Sequence, residues 1–142
     1  MDCIFCKILN GEIPASKVYE DDNVLAFLDI MPATPKKGHV IVIPKKHYEM
    51  LEDVSDDDLT ALILVVKKVQ KGILKWAEGT NIFQNNGKSS GQIVNHVHFH
   101  IVPRFEGDGV KLAESETFQY QDSEMVEMQE KIKKLLNESS TF

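Results

Sequence analysis

Apolar positions along this chain change period several times, and each change marks an element. Ile4-Phe5-Cys6-Lys7-Ile8-Leu9 places apolar residues at helical spacing and stops at Asn10-Gly11, which predicts a short helical turn. Val18 to Glu20 and Val24 to Ile30 read as two strands joined by Asp21-Asp22-Asn23. Residues 31–37 hold Pro32 and Pro35 and form a loop. Gly38-His39-Val40-Ile41-Val42-Ile43-Pro44 is a β-branched run closed by proline, hence a strand. Ser55 with Asp58 resembles a capping box, with Asp in place of the preferred Glu. Leu59, Leu62, Ile63, Val66, Val69, Ile73, Trp76 and Ala77 then recur at helical spacing up to Gly79. They predict a helix of about six turns over 56–78. Leu64, Val65 and Leu74 widen its apolar face, which suits either a thick core helix or, as we favour, packing on a second subunit. Further strands are expected at 82–85 and 94–102, separated by the loop 86–91. Met125, Met128, Ile132, Leu135 and Leu136 predict a helix over 123–137. Strands with one long inserted helix and a C-terminal helix define an α+β sandwich built on an antiparallel sheet.

Length and charge narrow the function. The 142 residues fit one domain with a real hydrophobic core. A net charge of -6 argues against a general DNA or RNA binder. It leaves room for a nucleotide, because Lys36, Lys37, Lys45 and Lys46 flank His39 and His47 with no acid between positions 36 and 47. The alternative is four solvated lysines. The start of the chain lacks a basic n-region, and no run approaches the roughly 18 apolar residues of a membrane span. The expectation is a soluble, cytoplasmic protein without membrane or nucleic-acid partners. In that compartment Cys3 and Cys6 read as metal ligands or redox thiols rather than as a disulfide.

All five histidines fall in two segments, His39 with His47 and His96-Val97-His98-Phe99-His100. On a strand the three alternating imidazoles share one face, about 6.5–7 Å apart per step, while Val97, Phe99 and Ile101 face the core. Three readings compete: a polar sheet face, a metal site, and nucleophilic catalysis by a central imidazole with flanking groups handling phosphate charge. The outer pair spans about 13 Å of strand and shares one metal only awkwardly. The loop from Asn85 to Gln92 favours catalysis, since Gly91 allows backbone N–H groups near an anion, and Asn85 and Gln92 offer amide donors.

His96 to Val102 resembles the His-φ-His-φ-His-φ-φ signature of the histidine triad family. The likeness runs from Ile4 to Arg104 and includes Ile4 to Ile8, Glu12-Ile13-Pro14, Val24 to Ile30, Gly38 to His47 and Gly91-Gln92. It lies nearest the nucleotide phosphoramidases and small bacterial-type members. The resemblance implies a homodimer that binds a purine nucleotide or AMP-like conjugate and cleaves it through a nucleotidyl-histidine intermediate. By motif position His98 is the nucleophile, His100 contacts the α-phosphate, and His39 helps hold the nucleophile. Asp29, with Ile30 beside it, matches the ribose-binding acid. Ile4, Phe5 and Ile8 match the base pocket, and Asn85, Gly91, Gln92 and Val94 match the phosphate loop. The domain is expected over 1–104, with 105–142 as a C-terminal extension packed on it.

Two positions set this chain apart. Many relatives carry Ser or Thr after the Gly-Gln pair, where a hydroxyl assists the leaving group; here Ile93 stands. Cys3 and Cys6 occur in only some branches, and there they join His47 and His96 in a structural Cys2His2 zinc site. The alternative is two free cysteines or a redox pair. The chemistry itself requires no metal. Other functions left open are cleavage of dinucleoside polyphosphates, nucleotidyl transfer, a nucleotide-binding module with little turnover, and a zinc hydrolase using the triad as ligands.

Overall fold

A computed structural model describes residues 2–112 and 115–139. The chain divides into two units, 1–112 and 113–142. The first contains helix α1 (Ile4–Leu9), strands β1 (Lys17–Glu20), β2 (Val24–Leu28) and β3 (Val40–Pro44), helix α2 (Asp56–Ile73), and strands β4 (Gly79–Gln84) and β5 (Phe99–Arg104). The five strands form one antiparallel sheet in the order β1-β2-β3-β5-β4. The second unit contains helix α3 (Glu124–Ser139), two residues longer than predicted at its C-terminal end. The architecture is the α+β antiparallel sheet with helices that the pattern predicts.

The central strands are buried on both faces, which is why they read as continuous apolar runs. Val24, Ala26, Val40, Val42 and Ile101 pack beneath Leu62, Val65 and Val66 of α2. Leu25, Phe27, Ile41 and Ile43 meet Cys3, Phe5 and Ile8 of the α1 segment on the other face. His100 is paired across the ladder with Ile41 and Phe83, so its side chain joins the α1 face. Val65, expected to widen the outer face of α2, is instead core; Ile63, Leu64, Leu74 and Trp76 remain exposed.

Three local expectations give way. The helix over 56–78 ends at Ile73, where Gly72 weakens the last turn and Trp76 N–H closes a tighter bond to the Ile73 carbonyl at 2.9 Å. Gly79 is no helix stop but the first residue of β4, opposite Arg104. Ser55 does cap α2, accepting from Asp58 N–H at 3.2 Å, a bond worth about 1 kcal/mol. The capping box does not close, because the Asp58 carboxylate accepts from the Tyr48 hydroxyl instead.

The third departure shapes the site. The strand predicted from 94 starts only at Phe99. Val97 N–H donates to the Tyr48 carbonyl at 2.7 Å, and the His96 carbonyl accepts from the His98 ring at 2.7 Å. A carbonyl taken by a side chain two residues on is unavailable to a ladder. His96 and His98 therefore sit on an irregular approach to β5 and His100 on the strand itself. Val97 and Ile101 are fully buried, as alternation predicts.

Candidate active site and metal cluster

His98 is 6 % exposed and its tautomer is legible. A carbonyl oxygen can only accept, so the bond to His96 places the ring proton on Nδ1. Nε2 keeps its lone pair and has no hydrogen-bond partner among the described residues. Phe5 meets the ring edge-on at 5.1 Å between centroids. Burial lowers the basicity of His98, opposed by its hydrogen bond to the His96 carbonyl and the Asp29 charge.

His39 and His100 form a directed chain. Ala33 N–H donates to His39 Nδ1 at 3.1 Å, so the His39 proton resides on Nε2. Nε2 lies 2.9 Å from His100 Nδ1 and donates to it, which leaves the His100 proton on its own Nε2. Burial first, then repulsion from His98 and His39, pushes His100 down to about 4. Burial also lowers His39, opposed by Asp29, whose Oδ2 lies 3.7 Å from His39 Nε2. All three imidazoles are thus neutral near pH 7, each with a defined donor and acceptor nitrogen. Asp29, His39 and His100 also bring possible ligand atoms within 4.8 Å. The Ala33 N–H argues against a cation there, because it needs the His39 proton on the nitrogen that would have to bind metal.

Beside the triad lies a cleft of about 350 Å³. Ile4, Phe5, Ile8, Asp29 and Ile30 line it, so five sequence-predicted residues meet in one cavity. Asp29 closes the polar end; its Oδ1 accepts from Met31 N–H at 2.8 Å, which orients the carboxylate. Ile30 is 94 % exposed and stands at the rim. Ile13, Phe27 and Ile41 also line the cleft, roles that sequence reasoning missed. For Phe27 and Ile41 the signal was present, because their alternation places them on the same sheet face as His39 and His100.

The loop after β4 is organised by Gln92. Its side-chain oxygen accepts from Gly87 N–H at 2.7 Å, and its NH2 donates to the carbonyls of Glu49 at 2.7 Å and Val94 at 3.1 Å. Its backbone N–H is also engaged, on the Gly87 carbonyl. The Gln92 side-chain amide, expected to donate to phosphate, has its donors engaged on these two carbonyls and ties the loop to the segment at Glu49. Gly91 adopts φ +97°, a conformation open to glycine, with Asn85 Nδ2 3.5 Å from where a Cβ would stand. Val94 packs against the α1 core, and Ile93 is 92 % exposed.

The remaining predicted ligands converge on the other side of His98. Cys3 Sγ and Cys6 Sγ lie 3.5 and 3.7 Å from His96 Nδ1; His47 Nδ1 lies 3.3 Å from Cys6 Sγ and 3.1 Å from His96 Nδ1. Four donors around zinc at its usual bond lengths stand about 3.3–3.8 Å apart, so the set has nearly the size of a tetrahedral shell. His96 Nε2 donates to the Pro44 carbonyl at 2.9 Å, which turns the bare Nδ1 toward the sulfurs. Burial pushes His96 down to about 4 and raises the Cys6 thiol. Cys3 also caps α1 by accepting from Cys6 N–H at 3.4 Å. Because His96 turns to the cysteines, the reading in which all three triad histidines ligate one catalytic metal is not supported.

The HIT domain family model matches residues 10–107, and the chain belongs to the histidine triad (HIT) family. An uncharacterized HIT-like protein of Methanocaldococcus jannaschii is 59 % identical over 108 residues, 75 % of this chain and 82 % of that protein. The adenosine 5′-monophosphoramidase of Schizosaccharomyces pombe is 48 % identical over 104 residues, 73 % of this chain and 75 % of the enzyme. Among solved structures, a HIT family member from Bacillus subtilis superposes with a TM-score of 0.84 at 40 % identity, over 94 % of this chain and 96 % of that one. A zinc-bound histidine triad family protein of Mycobacterium smegmatis gives 0.73 at 38 % identity, over 82 % of this chain and 85 % of that one. No helix among the described residues is long and apolar enough to cross a membrane.

Proposed function

We propose that this protein is a nucleotidyl hydrolase that cleaves purine nucleotide phosphoramidates or similar AMP-like conjugates through a covalent intermediate on His98. The observation that carries this reading is the His98 ring, buried and neutral, with its proton held on Nδ1 by a carbonyl and Nε2 bare. Nε2 attacks the α-phosphorus, the bond to the leaving group breaks, and the departing nitrogen takes the electron pair and a proton from solvent. Water then attacks phosphorus and returns a proton to solvent, the Nε2–P bond breaks with its electron pair going back to Nε2, and the mononucleotide leaves with His98 regenerated.

The neighbouring groups supply what this path needs. His100 presents Nε2–H to a non-bridging phosphate oxygen, where negative charge grows in the transition state. Asp29 accepts from the ribose hydroxyls, and the apolar cleft between Phe5, Ile8, Phe27 and Ile41 holds the base. Asn85 and the backbone near Gly91 face the phosphate. Cys3, Cys6, His47 and His96 fit a structural zinc ion, which would tie α1 to the segment before β5 and leave the phosphorus chemistry to the imidazoles. Ile63 and Leu64, exposed on α2, support a homodimer.

Replacing His98 by Ala tests the mechanism. Hydrolysis of an adenosine phosphoramidate is expected to disappear while AMP still binds with an affinity within a few-fold of the original. Denatured wild-type protein, quenched during turnover, should carry one nucleotidyl group on His98 by mass spectrometry. Retained turnover in the variant sinks the proposal. Product analysis with a dinucleoside polyphosphate separates the phosphoramidase from its nearest alternative.

A further inference from the structure

Phe83 lies on β4 directly opposite His100, and its ring is nearly parallel to the imidazole, 4.4 Å between centroids and 15° between planes. The ring's edges meet other groups. Ile41 is the cross-strand partner of His100 on β3, His98 meets the imidazole edge-on at 4.8 Å, and His39 holds its Nδ1. A hydrogen bond at Nδ1 restrains one atom of the ring. It leaves the ring free to tilt about that contact, which swings Nε2–H on the opposite side through the largest arc. A flat neighbour stacked on the face removes the tilt.

We propose that Phe83 is a positioning residue for the reaction. Its ring fixes the plane of His100, so that the relay from Ala33 N–H through His39 delivers an Nε2–H aimed at the phosphate. Phe83 touches neither substrate nor nucleophile; it acts through His100. The kinetic consequence rests on the function proposed above, whereas the structural consequence, a fixed His100 ring plane, does not.

The test compares Phe83→Leu, which keeps apolar bulk, with Phe83→Tyr, which keeps the flat face. For Phe83→Leu, kcat on an adenosine phosphoramidate should fall about tenfold with KM changed less than about twofold; Phe83→Tyr should stay within about twofold of wild type in both. Side-chain 13C–1H relaxation of His100 should report a rigid ring in wild type and Phe83→Tyr and a mobile one in Phe83→Leu, with the His39 hydrogen bond keeping the proton on Nε2 in all three. An unchanged kcat in Phe83→Leu, an equal loss in both variants, or a His100 ring as rigid in Phe83→Leu as in wild type each overturns the proposal. If wild type turns over no nucleotide conjugate, the proposed function falls and the ring relaxation alone decides the role of Phe83.

Discussion

Two imidazole clusters lie on either side of one carbonyl, and they differ in which nitrogen is bare. At His96 the Pro44 carbonyl takes Nε2–H and leaves Nδ1 facing two sulfurs and His47. At His98 the His96 carbonyl takes Nδ1–H and leaves Nε2 without a hydrogen-bond partner among the described residues. The same residue type, two positions apart, becomes a candidate ligand in one case and a candidate nucleophile in the other. What separates them is which ring N–H a backbone oxygen takes, the Pro44 carbonyl at His96 Nε2 and the His96 carbonyl at His98 Nδ1. The His39–His100 pair obeys the same logic, with the Ala33 peptide as the directing group.

The comparison can be broken most sharply by mutating each side. His98→Ala is expected to lower turnover by on the order of 10⁴ while leaving the thermal midpoint within about 2 °C of wild type. Replacing both Cys3 and Cys6 by Ser should do the reverse in kind. It should lower the midpoint by about 10 °C or more and abolish bound zinc, measured by elemental analysis and thermal scanning. A smaller effect is expected at His39→Ala, which removes the donor to His100: kcat falls roughly ten- to a hundredfold with KM little changed. Equal losses in kcat and stability for all three would mean that the two clusters are one structural unit.

Acid sharpens the same comparison. His39 and His100 are held below the ordinary 6.5 by burial, His100 down to about 4. Between those values the unfolded chain takes up protons that the folded one refuses. Stability from these groups is therefore complete above pH 6.5 and is lost as pH falls toward 4. Urea midpoints measured from pH 8 to 4 should decline across that window, and His39→Gln should make the decline shallower. The smallest effect is expected at Ile93→Ser. Its side chain is exposed, so stability stays level, while a hydroxyl near the leaving group raises phosphoramidate turnover a few-fold.

Much of the fold was legible because buried strands and an amphipathic helix leave strong periodic signals. β2, β3 and the N-terminal end of α2 stand where the pattern puts them. The start of β5 was not legible, because the His98 ring competes with the ladder for the His96 carbonyl, and no spacing rule shows that bond. The staple made by Gln92 was hidden for a similar reason: an amide beside a glycine reads equally well as a phosphate donor. The clustering of Cys3, Cys6, His47 and His96 came from family resemblance, since donors as far apart in sequence as Cys3 and His96 carry little spacing information. Phe83 gave no signal at all; its role depends on cross-strand register, which a single strand does not reveal.

Cys3 both caps α1 and belongs to the sulfur–imidazole cluster, and α1 carries Phe5 and Ile8 of the cleft. A metal in the cluster and a nucleotide in the cleft would thus both bear on the same six-residue helix. Two ligands that draw on one ordering step are reciprocally linked: each raises the affinity of the other by the same factor. With both bound, nucleotide occupancy would be a function of free zinc, and a chelator titration read out by AMP affinity measures the coupling directly.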